Sequence, residues 1–332
     1  MNKIHQNLPA RTSVFALFIF LFSCQKVQLT ATPLPSTVLN VAADASISYA
    51  ASAASNNLVA DWETGNADQW YGLNLAYSNQ YSTVTWPVRQ GRFAGKFTVR
   101  PGDVSSGGER SEVSMWLSRT SPINNYTQEV PGSDFYYGWS TQFPWDWKTP
   151  PGYCIFYQFQ QRADNLHPSI AFNVLGESIQ VNFNTGIVHG YSWAPSNSFA
   201  FMPTHNQMAN PIIVNSLSRG KWHDFIVHVR FAPDNSGICE IWHRLEGSAD
   251  FTKVLDYPHV PTEQWTTYPG TFLTEGVYTH YSLNNVTGCV PNTYVKMGLY
   301  RPVVRGNYIT NTIYGDNWSR STTFSGVRSK FK

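Results

Sequence analysis

Charge is scarce in this chain. Of its 332 residues, 13% are Asp, Glu, Lys or Arg, about half the usual share. Aromatics reach 15%. Low charge with many aromatics excludes a disordered chain, a coiled coil and a long helical bundle. A basic excess is missing too: the formal charge is +2, not the balance of a nucleic-acid-binding domain. Cysteine is rare, with four in all, and their spacing fits no zinc motif. There is no P-loop, no Gly-x-Ser-x-Gly and no His-Glu-x-x-His. Nor is there a Glu-x-Asp-x-x-Glu strand, the signature of one sandwich glycosidase family. Glu109 and Glu112 are three apart, which in a strand sends them to opposite faces. They do not form the carboxylate pair, about 5 Å apart, that a retaining glycosidase needs. No internal repeat appears.

One apolar run stands out, at the N-terminus. Lys3 and Arg11 form a basic region before Ser13 to Phe22, a stretch too short for a bilayer span of roughly 20 residues. It ends in Leu21-Phe22-Ser23-Cys24, which is similar to a bacterial lipobox with Cys24 as the lipidated residue. Residues 1–24 are therefore expected to be a lipoprotein signal. Export to the outer membrane or cell surface of a Gram-negative bacterium follows, with membrane contact only through the lipid. Losing 1–24 removes two of the 23 basic residues and none of the 21 acidic ones, so the mature chain is formally neutral. Residues 25–57, rich in Ala, Ser, Thr, Pro and Asn, read as a flexible tether. The folded unit is expected over 58–332, a length that suits one large domain. Cys154, Cys239 and Cys289 remain, either as one disulfide and one thiol or as three buried thiols.

With 23 Gly and 20 Pro, the rest of the chain favours turns, and several segments alternate with period two. In 110–117, Val113, Met115 and Leu117 share an apolar face, and Arg110, Glu112, Ser114 and Trp116 share the other. In 221–231, Phe225, Val227, Val229 and Phe231 face one way, and Trp222, Asp224, Ile226, His228 and Arg230 the other. Asp234-Asn235-Ser236-Gly237 reads as a hairpin turn rather than a calcium loop, which leaves a calcium requirement open. In 155–162, Gln158, Gln160 and Arg162 share a face; in 294–301, Tyr294, Lys296, Gly298 and Tyr300 do. Lys296 and Tyr300 are then about 13 Å apart along their strand. Polar and aromatic side chains on several non-core faces suit a groove for several sugar units. The expected fold is an all-β antiparallel sandwich with a concave substrate groove.

The blocks Asp61-Trp62-Glu63-Thr64-Gly65, 87–97, Gly108-Glu109-Arg110-Ser111-Glu112-Val113, Tyr137-Gly138-Trp139, Tyr157-Gln158-Phe159-Gln160 and 294–301 occur in that order. This order resembles the jelly-roll (concanavalin-like) polysaccharide lyases related to heparin lyase I and fungal glucuronan lyase. Alginate lyases of similar fold share the Arg-x-Glu, Gln-x-His and Tyr-x-Lys-x-Gly-x-Tyr pattern. The resemblance implies β-elimination of an anionic, uronate-containing polysaccharide. It maps the catalytic acid, and in some members also the base, onto Tyr300. Lys296 and Arg110 map to substrate contacts, and Gln158 to the group that hydrogen-bonds the uronate carboxyl. Gln160, Arg162, Tyr294, Arg301, His228 and Trp116 are read as further substrate-binding residues. Gln160 stands where the pattern has a base His, and a carboxamide cannot take up a proton at useful pH. Three readings stay open: Tyr300 in both roles; a His from elsewhere, with His167, His189, His205 and His228 to choose from; or glycan binding without turnover.

Overall fold

The computed structural model describes residues 56–116, 127–162, 166–189, 200–202, 210–266, 278–283 and 286–332. The signal, Cys24 and almost all of the tether lie outside the described residues, as do Leu117 and His205.

Two antiparallel sheets of eight strands face each other. The first runs in the order Ile212–Val214, Ser178–Phe183, Ile170–Leu175, Ile155–Gln161, Thr293–Arg301, Gly108–Ser114 and Gly72–Leu75, with Val104–Ser105 beside Gly108–Ser114. The second runs Thr252–Tyr257, Ile238–Leu245, Trp222–Arg230, Asp134–Gln142, Asn311–Ser321, Ala94–Val99 and Tyr81–Val84, with Leu58–Ala60 on Asn311–Ser321. A smaller five-stranded sheet includes the parallel pair Gly186–His189 and Gln264–Thr266. The one α-helix among the described residues is Phe324–Arg328, capped by the Thr323 side chain.

The alternation follows from what each face meets. Val113, Met115, Phe159, Val295 and Met297 of the first sheet bury against Trp139, Phe225, Val227 and Phe97 of the second. Trp139 stacks on Tyr157 with centroids 3.6 Å apart, and Tyr157 accepts a hydrogen bond from the Trp318 indole at 3.1 Å. Seven of the 12 Trp are buried. Much of the aromatic excess therefore fills the core, where each large ring removes much apolar area from water. Cys154, Cys239 and Cys289 are buried free thiols. Burial pushes the Cys154 thiol up to about 12.

Several buried charged groups are paired, which offsets their desolvation. Asp224 is clamped by Arg89, Arg244 and the Ser140 hydroxyl at 2.7–3.0 Å. Arg320 meets Glu129, which also accepts from the Tyr137 hydroxyl at 2.8 Å. Arg301 is fully buried, its Nε 2.7 Å from Glu109 and its fork on Asn311. Arg301 alternates with Tyr300 and so faces inward. This removes it from the expected groove residues.

Two irregularities shape the first sheet. Ile155 and Tyr157 face Asn173 and Phe172, so the Ile155–Gln161 strand holds one extra residue. A β-bulge of this kind reverses which residues face which side. Phe156 and Tyr157 both enter the core, whereas Ile155 and Tyr153 take the opposite phase from Cys154. The second bulge lies between Met297 and Tyr300. There Gly298 has φ +136°, and a Cβ would stand 2.2 Å from the Ser111 carbonyl oxygen. Gly298→Ala is therefore expected to cost about 2–4 kcal/mol of stability, from backbone strain and overpacking together. The urea midpoint measures it; a variant as stable as the parent would show that the strand relaxes here at no cost.

Candidate active site

Three neighbouring strands assemble the groove face. Tyr300 lies opposite Arg110, and Gly298 opposite Glu112. Lys296 lies between Ser114 and Gln158, and Tyr294 opposite Gln160. Because Gly298 has no side chain, Glu112 on one flanking strand reaches Gln158 on the other.

Glu112 is the hub. One carboxylate oxygen accepts from the Gln158 carboxamide. The other meets Arg110 Nη1 at 3.1 Å and Lys296 Nζ at 3.8 Å. All four residues are 8% exposed or less. Two cations against one carboxylate leave a formal charge of +1 in a place with little water. Burial holds the Lys296 ammonium below its ordinary pKa, Glu112 pulls it back up, and Arg110 adds to the lowering. Arg110 is tied down further: its Nη2 donates to the Ser106 carbonyl at 2.8 Å. Burial, reinforced by Glu112, raises the Tyr294 phenol above its ordinary value.

Tyr300 stands beside this cluster, half-buried. The Arg110 guanidinium lies 3.9 Å from its ring centroid. Its ring passes so close to Gly108 that a Cβ there would be 2.3 Å from Cε2. The Tyr153 hydroxyl donates to the Tyr300 hydroxyl at 3.1 Å. At the other end, Trp116 and Tyr294 pack with centroids 5.4 Å apart, and Arg162 lies over Trp116 at 5.1 Å.

Other expected residues fall elsewhere. His228 is on the outer face of the second sheet, stacked on Tyr136 and bridging Asp134 and Glu240 at 2.6 and 2.7 Å. It therefore lies outside the groove. The 221–231 alternation is correct, but that strand belongs to the other sheet. Gln160 donates its carboxamide to the carbonyls of Gln161 and Leu166. It lies opposite Tyr294, six residues from Tyr300, roughly 20 Å along the strand. His167 is at the surface at that same end, where its backbone carbonyl accepts from Gln264. The His189 side chain is not among the described groups. No group of three His, Cys, Asp or Glu that could hold a metal occurs among the described residues.

Sequence reasoning missed two residues. Glu112 was assigned to the right face but given no role, because its three partners are spread over three strands. Tyr153 left no signal, because the bulge that turns it outward is not written in the alternation.

The profile of the polysaccharide lyase family matches residues 62–319. The chain belongs to that family. Among curated proteins there is no match. Among solved structures, this lyase-family chain is similar to endo-β-1,4-glucuronan lyase from the fungus Trichoderma reesei, with 18% identity and a TM-score of 0.54. That match covers 81% of this chain and 97% of the fungal one, and it identifies the fold as a jelly-roll sandwich. Family 7 alginate lyase A1-II' is also similar, at 13% identity and a TM-score of 0.45, over 79% of this chain and 98% of that one.

Removing the hub charge leaves Arg110 and Lys296 facing each other. Glu112→Gln should therefore lose about 3 kcal/mol or more, as a broken buried ion pair does. Chemical denaturation checks this; a loss below about 1 kcal/mol, the scale of a solvated surface pair, would remove Glu112 as the hub.

Proposed function

We propose that this chain is an exported lyase that cleaves a uronate-containing polysaccharide by β-elimination, leaving a 4,5-unsaturated end. The observation that carries the reading is Tyr300, held under the Arg110 guanidinium beside a buried cluster of net charge +1. Such a cluster suits a substrate carboxylate. Gln158, Lys296 and Arg110 face that group and stabilise the negative charge that builds on it as the C5 proton leaves.

The proton balance then runs through Tyr300. As phenolate it takes the proton from C5. The C–H electron pair becomes the C4–C5 double bond, and the C4–O4 bond breaks. The new phenol returns its proton to O4, which restores the phenolate. One oxygen serving both steps requires the C5 hydrogen and O4 on the same face of the sugar ring. 4-Linked D-glucuronate and D-mannuronate meet this condition; their C5 epimers, L-iduronate and L-guluronate, do not. Formal neutrality of the mature chain also favours weakly charged polymers such as glucuronan, ulvan or alginate over heavily sulfated heparin.

A second reading is glycan binding without turnover on the same surface. It is favoured by the engagement of Arg110, Gln158 and Lys296 with Glu112.

Ultraviolet absorbance of the unsaturated product decides between them. Glucuronan or polymannuronate should give product and polyguluronate none. Tyr300→Phe should lower turnover by about 100- to 10,000-fold while the protein stays folded. Retention on glycan affinity gels with no absorbance from any polymer would establish the second reading. Product from polyguluronate alone would rule out Tyr300 in both roles.

Surface anchoring through Cys24 belongs to the same proposal, supported by the short apolar run that precedes it. Cys24→Ala should shift the protein from the membrane fraction to the soluble fraction; an unchanged distribution would rule the anchor out.

A further inference from the structure

We propose that Tyr153 is a positioning residue for Tyr300: its hydroxyl donates to the Tyr300 oxygen and holds that oxygen, as phenolate, where the C5 proton is taken. This rests on the lyase reading above.

The geometry is specific. The bulge at 155–157 turns Tyr153 to the groove side of its strand. Its ring meets the Tyr300 ring edge-on, with centroids 5.4 Å apart and planes at 64°. The two hydroxyl oxygens are 3.1 Å apart, with Tyr153 as the donor. Packing alone would need only the ring, so the polar tip is spent on another phenol. Position 160, where a base His would stand, is roughly 20 Å away along the strand.

Among the described residues, the charged and titratable groups beside Tyr300 are Arg110 and Glu112 on one flanking strand and Tyr153 just before the other; Lys296 lies four residues away on the same strand as Tyr300. Of the two phenols, Tyr153 keeps its proton. Burial raises its pKa, and its hydrogen bond to Tyr300 raises it further. Tyr153 is therefore the partner that keeps donating, and Tyr300 the partner that accepts. A hydrogen bond donated to the charged form lowers the pKa of the group that receives it.

Tyr153→Phe keeps the ring and loses only the hydroxyl. In the full-length protein, kcat near neutral pH should fall by about tenfold or more with KM little changed. The limb of the pH–rate profile that rises with pH should move up by about one unit, since each unit is a factor of ten in the ionised fraction. A purely structural role would change the melting temperature and leave the profile in place.

The second measurement needs no substrate. The tyrosinate absorbance of the parent minus that of Tyr300→Phe gives the titration of Tyr300. The same difference taken in the Tyr153→Phe background should show its midpoint at higher pH. An unchanged midpoint overturns the proposal, whether or not the protein is a lyase. A shifted midpoint in a protein that cleaves no uronate polymer would keep the Tyr153–Tyr300 bond and remove the lyase reading instead.

Discussion

The Glu112 carboxylate holds one negative charge between a guanidinium, an ammonium and a carboxamide where little water reaches. Without it, Arg110 and Lys296 would be buried like charges on adjacent strands, each with a desolvation penalty of several kcal/mol. With it, both cations stay charged and fixed, and one positive charge is left over. The arrangement needs a gap in the middle strand, and Gly298 makes that gap. Any side chain there would also meet the Ser111 carbonyl. The conformation of one glycine and the placement of three functional side chains are thus one constraint.

Much of this was legible in the chain before folding. Period-two alternation placed Arg110, Glu112 and Trp116 on one face and Val113 and Met115 on the other. It did the same for Tyr294, Lys296 and Tyr300, because burying one sheet face imposes that pattern residue by residue. Register between strands was not legible. The Lys296–Gln158 and Tyr300–Arg110 pairings are long-range facts set by the whole sandwich. Bulges were not legible either. Read strictly backward from Gln158, the alternation would put Phe156 and Cys154 on the groove and Tyr153 in the core. One inserted residue reverses this, because Phe156 and Tyr157 are both drawn into the aromatic core against Trp139, Phe172 and Phe225.

The same limit explains His228 and Arg301. A non-core face can belong to either sheet of a sandwich, and alternation alone does not say which. His228 faces outward on the sheet opposite the groove, where carboxylates on both ring nitrogens hold it. Arg301 ends a strand whose groove-facing members are the even-numbered residues, so its charge points inward and must be met by Glu109 and Asn311. The aromatic count misled in a related way. Rings such as Trp62, Trp139 and Trp318 build the core. The rings left to the groove face are chiefly Tyr300, Tyr153, Tyr294 and Trp116.

Gln160 looked like a missing base because the motif sets it two residues from Gln158. In the folded sheet those two residues run along the strand, away from Tyr300 rather than toward it. A side chain at 160 therefore faces Tyr294, far from Tyr300. What gathers at Tyr300 is instead a guanidinium over the ring, a second phenol donating from just before the neighbouring strand, and a cluster of net positive charge alongside. All of these converge on one side chain from neighbouring strands of one sheet.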